Sequence, residues 1–189
     1  MNKDNLQQIF DNYMTRFEVI NTKHDENYKW AVAKKFRTLM DQALSKEGEE
    51  FAEILSQAKV ATRNIIDSYI QPFQGMVFFA KKEPETVKKM FLDLYSDDEG
   101  LLAKQEKLIE DFFTKSDELL EKYTPDSFLY KQDSHAVSSY LFLYDPNKHY
   151  MYKASHSKAF ADCIEFYDDW GKGRDIKLIT YHRMCDELL

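Results

Sequence analysis

The residues best placed to do chemistry lie in one stretch, Tyr144-Asp-Pro-Asn-Lys-His-Tyr-Met-Tyr-Lys153. It gathers three tyrosines, two lysines and a histidine around a proline. The chain carries a net charge of −7, yet residues 131–160 hold four lysines against two aspartates. Three of the five histidines, His135, His149 and His156, fall in the same region. Pro146 forces a turn and keeps Asp145 out of the helical region. If the next residues are extended, Tyr150 and Tyr152 share one face. Tyrosine faces beside Lys148, Lys153 and Lys158 could stack a base or planar group and meet its phosphate. His149 would lie beside them. This gives a candidate ligand-binding set: Lys148, His149, Tyr150, Tyr152, Lys153 and Lys158. The plainer alternative is that tyrosines in a loop between helices plug the core and bond through their hydroxyls.

Other constellations are weaker. Asp162, Glu165 and Asp169 stand at i, i+3, i+7, with Asp168 adjacent. On one helix that face could hold a divalent cation, but a solvated acidic face is the ordinary meaning. His182 and Cys185 with Cys163 do not form a zinc spacing, and buried cysteine mostly acts as a small hydrophobe. Ser134-His135 invites a nucleophile reading, but the chain has no GxSxG elbow, and His135 reads as a polar surface residue. Phosphate loops of the GxxxxGK[ST] and GxGxxG types are absent, so nucleotide hydrolysis within this chain is not expected. No catalytic residue, metal ligand or cofactor is assigned. Arg16, Lys23, Lys29, Lys34, Lys35 and Arg37, with Tyr28 and Trp30, could form a second basic–aromatic surface. They also fit ordinary decoration of amphipathic helices.

The elements that position these groups are helical. Five glycines and four prolines in 189 residues are too few for a β-sandwich. Hydrophobic residues make up 43%, enough for a packed core. Leu6, Ile9, Phe10, Tyr13, Met14 and Phe17 keep helical spacing over 4–20. A second helix is expected from about Asp25 to Leu44 and a third from about Glu49 to Ile70. Gln71–Gly75 reads as a turn, and Met76–Ala80 as a strand or buried helical turn. Pro84 opens a helix to about Tyr95. Ser96–Gly100 breaks the chain before a long helix over 101–123. Residues 84–123 hold eleven acidic residues against six lysines. Further helices are expected from Asp133 or Ser134, from Ser155 to about Tyr167, and from Asp175 or Lys177 to the end. The expectation is a single compact all-α domain over 1–189, with seven or eight helices and at most a minor β-hairpin near 76–80 or 148–153.

Two cysteines cannot build a disulfide framework, and the N-terminus has no apolar signal core. Apolar runs fall short of the ~20 residues that cross a bilayer. The expected setting is cytoplasmic, with no membrane partner. The net charge argues against non-specific duplex binding by the whole surface.

Several phrases resemble a bacterial family. They are Phe17-Glu-Val-Ile-Asn with Tyr28-Lys-Trp30, Lys82-Glu-Pro-Glu85 with Met90-Phe-Leu-Asp-Leu-Tyr95, and Tyr150-Met-Tyr-Lys153. Phe160-Ala-Asp-Cys-Ile-Glu-Phe-Tyr-Asp-Asp-Trp170 and Tyr181-His-Arg-Met-Cys-Asp-Glu187 complete the set. Together they resemble the helical N-terminal region found ahead of AAA-type ATPases related to McrBC-type modification-dependent restriction systems. The resemblance implies a non-catalytic recognition domain of a larger defence protein, excised from its N-terminal part. It also implies DNA, or downstream ATPase and nuclease domains, as partners. A structural or oligomerising domain without ligand is the alternative. A metal-dependent enzyme using the 162–169 carboxylates is a third reading.

Overall fold

The computed structural model describes residues 1–24, 26–96, 102–171 and 176–188. Nine helices and no strand lie among them. They are α1 (Lys3–Thr22), α2 (Tyr28–Leu44), α3 (Gly48–Ala61), α4 (Pro72–Ala80), α5 (Pro84–Leu94), α6 (Leu102–Tyr123), α7 (Ser134–Tyr144), α8 (Ala154–Cys163) and α9 (Leu178–Asp186). The ninth helix beyond the expected eight is α4. No hairpin forms at 76–80 or 148–153. None of these helices is long and apolar enough to cross a membrane.

The helix α4 corrects the reading of 71–75 as a turn. Gln71 takes a left-handed φ of 52° and Pro72 stands at the first helical position. Proline suits that position, because the amide hydrogen it lacks would have no helical partner there. Asp67 caps the helix from upstream, accepting from Phe73 N (2.9 Å) and Gln74 N (3.3 Å). Seven α4 residues are buried: Pro72, Phe73, Gly75, Met76, Val77, Phe79 and Ala80. A helix that is apolar on all sides belongs at the centre of a fold and shows no helical period to find it by.

Around α4 the periodic helices bury one face each. In α2 these are Val32, Ala33, Phe36, Met40 and Ala43, and in α5 Val87, Met90, Phe91 and Leu94. Helix α2 packs on α3 and α7, α4 on α3 and α5, α5 on α6, and α6 on α9. Phe73 is the centre of the core. Its ring meets Phe36 at 6.0 Å, Phe91 at 6.4 Å and Tyr140 at 5.1 Å between centroids. Tyr140 is fully buried, and its hydroxyl donates to Gln132 Oε1 at 3.0 Å. Gln132 Nε2 in turn donates to Pro72 O at 2.8 Å. The Tyr140 hydroxyl is therefore satisfied, as burial requires.

Several boundaries differ from expectation. Helix α3 stops at Ala61, not Ile70, and Arg63 follows in the left-handed region at φ 53°. Helix α8 stops at Cys163, not Tyr167, because Glu165 is left-handed at φ 55°. Asp25, most of the 96–100 break, Leu101 and Lys172–Asp175 lie outside the described residues.

A carboxylate holds the α4–α5 corner to α6. Glu83 accepts from Lys122 Nζ (2.5 Å), Tyr123 Oη (2.8 Å) and Thr86 Oγ1 (2.9 Å). The Lys122 bond first, then those from Tyr123 and Thr86, lowers its pKa from 4.5 to about 2. A depressed acid stabilises the fold above its unfolded pKa and loses that contribution as pH falls through the folded value. Glu83→Gln is therefore expected to remove on the order of 1 kcal/mol at neutral pH. In thermal melts the gap between wild type and variant closes from about pH 4.5 to about 2. A gap that persists unchanged to pH 2 refutes the assignment.

Helix α1 stands apart from this core. Asn2 caps it, accepting from Asp4 N and Asn5 N. Its first turn is tethered to the end of α8: Asn2 N donates to Ile164 O at 2.6 Å and Asn5 Nδ2 to Cys163 O at 2.9 Å. Leu6 and Ile9 touch the core, but no α1 residue is buried. The residues between Phe10 and Val19 are all exposed.

Candidate functional site

The loop after α7 is built by Asp145 and Pro146. Asp145 O accepts from Lys148 N (3.1 Å) and His149 N (3.2 Å), and Asp145 Oδ1 accepts from Asn147 N (3.2 Å). The chain then runs irregularly across α7 and α9 to α8. Tyr152 N donates to Ser138 Oγ at 3.0 Å. Tyr152 O lies 2.7 Å from His135 Nδ1, while His135 Nε2 lies 2.9 Å from Ile65 O. His135 therefore sits where three segments meet, with both ring nitrogens against backbone carbonyls. That role differs from the surface residue expected from its sequence position.

Tyr150 and Tyr152 share one side, as an extended segment requires, and that side faces inward. Both rings pack against Tyr181 of α9, at 6.5 and 5.2 Å between centroids. Tyr152 is 5% exposed. Tyr150 is half-buried, its ring lies 5.1 Å from His182, and its hydroxyl donates to Asp186 Oδ1 at 2.8 Å. Burial, followed by that bond, pushes the Tyr150 phenol up to about 12. Burial also raises Tyr152 and Tyr181. Phenols raised in this way stay protonated at pH 7. The rings act as packing groups, and Tyr152 leaves no open face for a base.

The remaining members of the set divide. His149 is half-buried, with its ring 6.0 Å from His182. Desolvation lowers the His182 pKa, with Asp186 opposing. Lys148 is exposed, with Nζ 3.9 Å from Asp145 Oδ2. Lys153 and Lys158 are exposed on the α8 side and have no ion-pair partner among the described residues. Lys153 borders a trough of about 620 Å³ with Lys29 and His156, over Phe142, Met151 and Met184.

Tyr144 contributes in an unforeseen way. Its ring stacks on Tyr95 at 3.8 Å and 7°. Arg37 covers the other face with its guanidinium 3.8 Å from the centroid. Arg37 also donates to Tyr144 O at 2.9 Å, and the Tyr144 hydroxyl donates to Asp41 at 2.9 Å. This three-layer stack pins α7 to α2 and uses Arg37 structurally. The sequence signal was an arginine four residues before an aspartate on α2, which alone indicates only an i, i+4 pair.

The carboxylate face over 162–169 does not form. Helix α8 ends at Cys163, so Asp162 is on it while Glu165, Asp168 and Asp169 lie beyond its end, and the residues do not share a helical surface. Glu165 accepts from Asn2, Asp169 from Lys177 at 2.5 Å, and Asp168 pairs with Arg183. Among the described residues, no three His, Cys, Asp or Glu side chains converge to hold a metal ion. Cys163 is exposed, and Cys185 is half-buried with its thiol raised to about 11 by burial, which keeps it in the thiol form at neutral pH.

Comparison with known protein families, with curated proteins and with solved structures finds no match. The chemistry of the surfaces therefore carries the functional argument.

Two surfaces stand out by geometry. One is the α1 stripe, where Phe10, Tyr13, Met14 and Phe17 are 42, 43, 64 and 47% exposed. The Tyr13 and Phe17 rings meet edge-on at 5.7 Å. Leu6, Phe10, Tyr13, Phe17 and Ile20 alternate spacings of four and three, which places them on one helical seam, with Met14 beside it. The sequence shows this stripe clearly but not that it lies uncovered. The other is a groove of about 550 Å³ between α2 and α3, containing Tyr28 and Lys35 from the second basic–aromatic set.

Proposed function

We propose that this chain is a non-catalytic recognition and interaction domain whose principal contact surface is the apolar stripe of α1. The observation that carries the reading is a 20-residue helix with no buried residue, tethered at its first turn, with aromatic side chains facing water. Exposed apolar patches of this kind mark contact surfaces. The polar side of α1 does not suit an anionic membrane or nucleic acid. It carries Asp4, Asp11 and Glu18 against Lys3 and Arg16. A lipid-surface helix would instead be rich in Lys and Arg there.

The test is Phe10→Glu with Phe17→Glu. A free surface predicts a Tm within the range of ordinary surface changes, roughly ±0.5 kcal/mol. It also predicts loss of whatever concentration-dependent mass the wild type shows in light scattering. A Tm drop of core size, about 3–5 kcal/mol, would mean the stripe is packed inside the fold, and the reading fails.

A second reading is favoured by the exposed Lys148, Lys153 and Lys158. It is contact with DNA, the partner implied by the resemblance, through Lys148, Lys153 and Lys158. Binding to oligonucleotides would weaken with salt and disappear on Lys148→Ala with Lys153→Ala. Absence of binding to duplex, single-stranded and modified DNA refutes it.

A further inference from the structure

From the groove between α2 and α3 we infer a docking site for an acidic amphipathic peptide segment. Its floor is apolar, made by Val32, Leu39 and Val60, the last of them 70% exposed. Two cations stand over that floor. Arg63 lies with its guanidinium 5.1 Å from the centroid of the Tyr28 ring, at one end. Lys35 stands seven residues along α2 from Tyr28, about 10 Å at the helical rise. Both are exposed, and neither has an ion-pair partner among the described residues. Among the described residues, no aspartate or glutamate lines the groove.

The chain carries a net charge of −7, and α5 and α6 each pair a lysine with a carboxylate along the same helix, Lys89 with Asp93 and Lys115 with Glu118. The Tyr28 ring holds the Arg63 guanidinium by a cation–π contact and leaves its donors free for a carboxylate. The left-handed backbone at Arg63 turns the chain at the end of α3 and places that side chain over the groove.

The placement of the charges defines the occupant. A carboxylate toward each end would meet Arg63, over the Tyr28 ring, and Lys35, seven residues along α2. Apolar side chains between them would cover Val32 and Val60. A single phosphate reaches one cation and leaves the floor uncovered. Helix-in-groove recognition has this form, with apolar anchors and charged edges that set register. The site is separate from the α1 stripe and does not depend on it.

The test is selection of a displayed library of random 16-residue peptides on the whole chain, with counter-selection on the Lys35→Glu, Arg63→Glu double variant. The expected pool is acidic and amphipathic. A synthetic peptide from it is expected to lose at least tenfold in affinity on either single reversal, with Tm and helical circular dichroism unchanged. The same peptide binds the Phe10→Glu, Phe17→Glu chain as tightly as wild type, which separates this site from the α1 reading. No enrichment, a basic or neutral pool, or peptides that bind both reversals equally well each overturn the proposal. So does a single-stranded oligonucleotide that displaces the peptide and is itself lost on Arg63→Glu, because the occupant would then be nucleic acid. Inorganic phosphate that displaces the peptide at equal occupancy would show a simple anion site and also overturn it.

Discussion

Gly75→Ala is expected to destabilise the protein by about 2–3 kcal/mol, although alanine is the better helix former. In an open helix the exchange would gain ~1 kcal/mol. Here a Cβ on Gly75 would lie 2.4 Å from Tyr130 Cβ and 2.9 Å from Tyr130 Cα. The second contact is with backbone, so no rotamer change relieves it. Tyr130 has little room to yield. It is left-handed at φ 72°, its N–H donates to Ile70 O at 2.6 Å, and its ring stacks on Phe78 at 5.5 Å. Overpacking costs of ~1–3 kcal/mol, occasionally more, exceed the propensity gain. The measurement is a thermal melt, with a Tm lowered by roughly 5–10 °C for a chain of this size. A Tm that rises would show that the 124–133 segment moves aside freely. Gly48→Ala is a useful contrast, with φ 55° but open space around a new Cβ. Its cost is backbone strain alone, ~1 kcal/mol.

The same glycine shows where the sequence was readable and where it was not. The periodic helices α2, α5 and α6 were legible because each is covered on one face and wet on the other, which writes a 3.6-residue pattern. Helix α4 was not, because it is covered on all faces. In the sequence its Pro72 and Gly75 read as turn signals. In the fold Pro72 is a first-turn residue, and Gly75 is the point where another segment crosses. The ends of α3 and α8 were missed for a related reason. Arg63 and Glu165 stop their helices in left-handed conformations that glycine or asparagine would have announced.

At the candidate site, types and spacing were legible and direction was not. Alternation put Tyr150 and Tyr152 on one face. Which way that face points depends on α9, whose Tyr181 and His182 arrive thirty residues later and cover it. The lysines differ, because a long charged side chain stays at the surface whichever way its neighbours turn. Lys148, Lys153 and Lys158 therefore remain exposed while the tyrosines do not. The α1 stripe fails in the opposite direction. An amphipathic period predicts a buried face, but only tertiary contact tells whether the cover is this chain or something else.

Phe91→Ala is expected to cost about 3–5 kcal/mol, the range for a buried ring truncated to alanine. Phe91 is fully buried on α5 and meets rings from three other helices. Its centroid lies 6.4 Å from Phe73 on α4, 5.5 Å from Phe112 on α6 and 5.5 Å from Tyr140 on α7. Tyr95, one turn along, stacks on it at 6.0 Å and passes the contact to Tyr144 and Arg37. Truncation would leave a void with aromatic walls that cannot rotate inward without leaving Tyr140 and its Gln132 bond. Since a domain holds only ~5–15 kcal/mol in total, the variant would retain a small margin. Phe91→Leu separates volume from ring geometry. It keeps most of the apolar volume, so a loss of less than half that of alanine would assign the cost to the cavity. A leucine as damaging as alanine would assign it to the edge-on ring contacts themselves. Denaturant melts of both variants, read at constant slope, make the distinction. If both lose less than ~1 kcal/mol, α5 is not the element that joins α4, α6 and α7. The Arg37–Tyr144–Tyr95 stack would then be only a local clasp between α2 and α7.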